Sequence, residues 1–250
     1  MSPMPRLAAL ALVLVVPVAA AAPEHTCTAQ KYTTVCRDGE RELRIIRNSI
    51  SPSRQYGVAW EALPDAVLKE DSDGSKWTDG GRADTFLIRL SDGRPIAKLA
   101  GEHLGDHARY NHTEAVVAWS PDGRYVAILN QSKWTTDAAE MYRVSETGVP
   151  SKPLRLMPVC AGAPRHEVAR RRHKGDGGYT PSMDVAAVRN DGTITARCAM
   201  QVVKDGDYFA MGIRAKVVAD RNGLKAQVTE TRLCGENDER GSCAAREPQD

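Results

Sequence analysis

The stretch WSPDGRYVAI, residues 119–128, decides how the chain reads. An apolar run ends at Trp119, a Ser-Pro-Asp-Gly turn follows, and Tyr125, Val126, Ala127 and Ile128 resume the apolar run. Asp-Gly between two such runs is a strong hairpin signal, because glycine supplies the positive φ that tight turns demand. The same shape stands 69 residues downstream as RNDGTITARC, residues 189–198, and 69 residues upstream as SPSRQYGVAW, residues 51–60. At that offset Asp122-Gly123 aligns with Asp191-Gly192 and with Ser53-Arg54.

Working outward, each unit has a second half. Lys76-Trp77-Thr78-Asp79 leads into DTFLIRLSDGRPIAKL, residues 84–99. Lys133-Trp134-Thr135-Thr136-Asp137 leads into AAEMYRVSETGVPSKPLRL, residues 138–156. Each supplies strand, turn and strand, with glycine in the turn. YFAMGIRAKVVADRNGLKAQV, residues 208–228, repeats the shape around Asn222-Gly223 without the Lys-Trp-Thr signature. A further hairpin is expected over residues 31–46, turning at Asp38-Gly39. Helix signals are scarce: Pro64 interrupts residues 61–68, and only 166–174 could make about two turns. The expectation is an all-β domain over residues 23–250, built of about three four-stranded blade-like antiparallel sheets, with a β-sandwich as the alternative.

Trp119-Ser120-Pro121-Asp122-Gly123, then Met141-Tyr142 and Gly148, resemble the repeat of TolB-type and WD40-like β-propellers. The match covers about 35 residues well and its two sister units loosely. The period is 69 rather than the roughly 40 of such repeats, and three blades are fewer than a closed ring uses. The resemblance implies an incomplete or small propeller-like stack whose loops serve as interaction surfaces. It carries no catalytic residue.

Residues 1–22, MSPMPRLAALALVLVVPVAAAA, read as a secretory signal peptide of an exported, periplasmic or secreted protein: a basic start, an apolar stretch and small residues at its end. Arg6 is the only charge there, so the balance moves from 34 basic and 32 acidic residues to 33 and 32. Such a near-neutral chain has no global field for nucleic acid. No second long apolar stretch suggests a membrane span in the mature chain. Six cysteines outside the reducing cytosol point to disulfides, and proximity suggests Cys27 with Cys36, Cys160 with Cys198 and Cys234 with Cys243. Closing a loop of about ten residues stabilises by roughly 2.5–3 kcal/mol in the chain-entropy model.

Three groups of residues could carry function. The duplicated Trp77 and Trp134, with Lys76, Lys133, Asp79 and Asp137 around them, are either wedges between sheets or a stacking platform for a glycan or a partner side chain. Arg170, Arg171 and Arg172 lie in a basic stretch suited to an anionic surface. His103, His107 and His112, interleaved with Asp106 and Glu114, are either loop histidines or metal ligands. No nucleophile elbow, phosphate loop or dinucleotide fingerprint is present, and no cofactor is called for. The leading expectation is a non-catalytic binding protein with a protein or envelope-polymer partner. The alternative is a metal-dependent hydrolase using the three histidines, with Glu114 or Asp106 as base.

Overall fold

The turns aligned by the 69-residue offset have one geometry. In the first, Arg54 N–H donates to Ser51 O at 2.8 Å and Ser51 N–H to Tyr56 O at 2.8 Å. In the second, Gly123 N–H donates to Ser120 O at 2.9 Å and Ser120 N–H to Tyr125 O at 2.8 Å. In the third, Gly192 N–H donates to Arg189 O at 3.0 Å. The serine hydroxyls repeat as well, accepting from Tyr56 N–H at 3.1 Å and from Tyr125 N–H at 2.9 Å. The residue closing each turn is left-handed, with φ of 55° at Arg54, 72° at Gly123 and 81° at Gly192. Glycine adopts that conformation freely, whereas an L side chain there is strained.

These turns sit in a computed structural model that describes residues 26–38, 41–78, 83–101, 103–106, 114–132, 135–162, 179–202, 208–234 and 243. Eight strands come first: β1 (Thr26–Ala29), β2 (Thr34–Asp38), β3 (Arg41–Ile45), β4 (Tyr56–Ala62), β5 (Leu68–Glu70), β6 (Lys76–Thr78), β7 (Ala83–Arg89) and β8 (Arg94–Lys98). Six of them form one antiparallel sheet in the order β1-β2-β3-β4-β7-β8, while β5 and β6 make a separate hairpin. The second sheet holds β9 (Glu114–Trp119), β10 (Tyr125–Gln131), β11 (Thr136–Arg143) and β12 (Leu154–Arg155). The third holds β13 (Tyr179–Val188), β14 (Thr193–Val202), β15 (Tyr208–Asp220) and β16 (Gly223–Leu233). The fold is all-β, with one helical turn at 157–162 that the sequence did not signal. One expectation is corrected. The first sheet has six strands, because β1 and β2 extend the four-stranded meander. The offset also falls from 69 at the turns to 57 at Lys-Trp-Thr, because the link after β4 carries β5 and β6 whereas the link after β10 is only 132–135.

The three sheets stack. Tyr125 to Asn130 of β10 are all buried, as expected of a strand covered on both faces. Tyr125, Ala127 and Leu129 pack with Met183, Ile194, Ala196, Ile213 and Val217 of the third sheet. The alternate residues Val126 and Ile128 pack with Tyr56, Val58, Trp60 and Leu87 of the first. Trp119 fastens the first two sheets: its indole N–H donates to Ser49 O at 2.8 Å, and its ring stacks on Tyr56 at 6.3 Å between centroids. Asp122 N–H donates to Asn190 Oδ1 at 2.9 Å and joins the second turn to the third. Glu140, buried under the link between the first two sheets, accepts from Ala100 N–H at 3.1 Å and Tyr142 O–H at 2.9 Å. Burial together with that carboxylate raises the Tyr142 pKa.

The two ends of the stack are closed differently. Beyond the first sheet, Cys36, Leu43, Ile45, Ala59 and Ile88 form an outer core. The sheet curls round it until the Cys27–Cys36 disulfide meets the β7–β8 turn, where Cys36 Cβ lies 3.0 Å from the place of a Cβ on Gly93. The outer face of the third sheet is polar and paired: Arg197 with Asp184 at 3.4 Å, Arg214 with Glu230 at 2.5 Å, and Lys216 with Asp191. The other two expected cysteine pairs also form, Cys160–Cys198 and Cys234–Cys243.

Candidate functional site

Two regions gather chemistry. The first is a clamp on the first sheet. Segment 103–106 runs beside β6, with Thr78 N–H donating to Leu104 O at 2.8 Å and Asp106 N–H to Lys76 O at 2.9 Å. Gly105 permits this approach, since a Cβ there would lie 2.7 Å from Trp77 Cβ. The Asp106 carboxylate accepts from Arg44 Nε at 2.9 Å, from Arg44 Nη2 at 2.6 Å and from Lys76 N–H at 3.0 Å. Arg44 is 2% exposed and Asp106 3%, so this is a buried bidentate pair with its lone pairs satisfied. The sequence treated Trp77 and His103 separately; the clamp makes them neighbours.

His103 belongs to the clamp. It is 4% exposed, and its Nδ1 accepts from Ala115 N–H at 3.0 Å. Burial lowers its pKa to about 4, against weaker support for the cation from Gly105 O and Asp106. The ring is therefore neutral near pH 7. With the Nδ1 lone pair engaged, the proton of the neutral ring sits on Nε2, a buried nitrogen with no partner in hydrogen-bonding geometry among the described residues. Asp106, the expected alternative base, is held by Arg44. Glu114 is half-buried and lines a small pocket with His103, Arg47 and Asn48. Among the described residues no three His, Cys, Asp or Glu side chains converge as a metal site would require. Trp77 is half-buried, with Lys69 Nζ 4.6 Å from its ring centroid and its indole N–H donating to Asp71 Oδ1 at 3.3 Å. Asp137 is exposed and accepts from Thr135 O–H at 2.8 Å. Asp79, His107, His112, Lys133, Trp134, Arg170, Arg171 and Arg172 lie outside the described residues.

The second region was not foreseen. At one edge of the stack, loop 145–149 joins β11 to β12 and stands between two grooves. The groove toward the first sheet, about 440 Å³, is lined by Arg54, Tyr56, Arg89, Leu90, Glu146 and Gly148. The groove toward the third, about 510 Å³, is lined by Arg124, Arg143, Val144, Val149, Asp220 and Leu224 among others. They are copies of one arrangement. Arg89 lies opposite Tyr56 in the β4–β7 ladder, and Arg143 lies opposite Tyr125 in the β10–β11 ladder. Each groove is closed by the outer hairpin turn of the next sheet, which brings an acid: Glu146 in the first and Asp220 in the second, which Glu146 also lines. Val149 is 62% exposed and Glu146 reaches Arg124 at 3.6 Å. The missed signal was the arginine that replaces glycine at the first aligned turn, Arg54, and follows it at the second, Arg124.

No protein-family model matches the sequence, and no curated protein matches it.

Proposed function

We propose that the chain is an exported, non-catalytic binding protein of propeller-like blades, periplasmic or secreted, which engages a protein or envelope-polymer partner through the groove pair around loop 145–149. The observation that carries this reading is the repetition of one groove twice at one edge, with the apolar Val149 standing exposed between the copies. An exposed apolar residue beside a concave surface with convergent polar groups suits recognition. Three disulfides suit an oxidising compartment. Among the described residues no helix is long and apolar enough to cross a membrane. The blade resemblance supports loops as the working surface.

The test is capture from envelope extract by the tagged full chain, beside a Val149→Asp variant. Wild type should retain a partner that the variant loses, while both melt at the same temperature. Equal recovery by both overturns the reading. Protease and glycan-hydrolase treatment of the captured material then separates a protein partner from a polymer.

A further inference from the structure

Arg54 is the anomaly among the three aligned turns. Gly123 and Gly192 hold the left-handed position at no cost, yet the first turn places an arginine there with φ of 55°. A non-glycine residue in that conformation costs on the order of 1–2 kcal/mol. Strain of this kind persists where a side chain is needed. The Arg54 side chain is exposed, lines the first groove and makes no ion pair among the described residues. Arg143, lining the second groove, is likewise exposed and unpaired. The remaining arginines are partly answered from within the chain: Arg89 by Asp92 at 2.5 Å, and Arg124 by Asp122 at 3.7 Å and Glu146 at 3.6 Å.

We infer that the groove pair binds an extended acidic segment of a partner protein, with one carboxylate at Arg54 and a second at Arg143. The inference rests on the binding reading above and names its partner. Stacked sheets lie about 10 Å apart, and a chain extended as a polyproline II helix advances roughly 3.1 Å per residue and returns to the same side every three residues. Carboxylates three residues apart therefore meet successive grooves, and an apolar residue between them crosses Val149. Glu146, whose side chain is 86% exposed, is the resident acid of this surface and competes for Arg124.

The experiment is fluorescence anisotropy of labelled peptides on the full chain. The probes are acetyl-Glu-Val-Ala-Glu-Val-amide, the same peptide with both glutamates replaced by lysine, one with adjacent glutamates, and inorganic polyphosphate. The glutamate peptide of spacing three should bind, weaken with added salt, and exceed the adjacent-glutamate peptide. Arg54→Glu and Arg143→Glu should each weaken it at least about fivefold, and Glu146→Gln should tighten it. Arg54→Gly separates role from fold: it should weaken the peptide while raising the melting temperature. Equal binding of the lysine peptide, indifference to spacing, tighter binding of polyphosphate, or unchanged affinity in Arg54→Gly each overturns the inference. Val149-dependent capture that survives such a failure leaves the binding reading standing; loss of that capture removes the reading itself.

Discussion

The first and third sheets close the same stack by opposite means. The first buries its outer face: it adds β1 and β2, curls them over an apolar core and staples them with Cys27–Cys36, while its Arg44–Asp106 pair is buried on the inner face beside Trp60. The third leaves its outer face polar and covers it with cross-strand ion pairs that keep one partner in solvent. A stack of sheets has two terminal faces, and each must be capped or made soluble. The difference teaches that charge does unlike work in the two sheets. In the first a pair is desolvated, so losing Asp106 leaves the buried Arg44 with Glu42 as its one acid among the described residues. In the third, water replaces a lost partner.

The sharpest break of the comparison is to remove one acid from each sheet. Asp106→Ala should destabilise by at least about 2 kcal/mol, because Arg44 at 2% exposure loses its bidentate partner and keeps only Glu42 at 2.6 Å and Gln30 at 3.3 Å. Glu230→Ala, whose partner Arg214 keeps access to water, should cost no more than about 1 kcal/mol. Urea unfolding of both variants measures the contrast, and equal costs would erase it.

Acid titration separates the clamp on the first sheet from the third sheet next. His103 titrates near 4 in the folded chain against an ordinary 6.5, so between these values the unfolded chain takes up a proton that the folded chain refuses. The stability from neutral His103 is complete above pH 6.5 and is lost as pH falls toward 4, about 3 kcal/mol in all. Asp191 on the third sheet is lowered to about 2, chiefly by its hydrogen bond from Lys216. Its contribution is present above the ordinary value of 3.8 and disappears only as pH falls toward 2. That pair is exposed, so the effect is small. Unfolding free energies from pH 7 to 3 should show the upper window, and His103→Gln should flatten it.

The smallest effect compares the turns. Gly123→Arg copies Arg54 and should cost about 1–2 kcal/mol, since Gly123 has φ of 72° and a Cβ there meets Ser53 Oγ at 3.1 Å. The reverse change, Arg54→Gly, should gain up to about 1 kcal/mol. Thermal melts of the two variants should move in opposite directions.

Much of the fold was legible because its signals are local. Asp-Gly and Asn-Gly mark turns by backbone sterics alone, and alternation marks strands. The turns at Gly93, Gly148 and Gly223 fall where the glycines announced them, all with positive φ. Cysteine proximity anticipated two pairs because each spans only nine residues, and Cys160–Cys198 was the pair then left over. The candidate site was less legible. Lys76-Trp77 drew attention by duplication, but Trp77 found its partner in Gly105, a neighbour 28 residues away that no local pattern announces. His103 was singled out for its histidine neighbours, whereas its environment is set by Ala115 N–H and by burial.

The sequence by itself determined the main strands, the turns and the two short-range cysteine pairs, since each depends on residues close along the chain. Tertiary structure alone decided which faces became cores, how each end was capped, and that Arg54 and Arg143 flank one loop. The reason is physical. Burial, the protonation of His103 and the grooves between sheets depend on which surfaces meet across the stack, and hydrophobic association selects those surfaces by area and fit without a mark in local sequence.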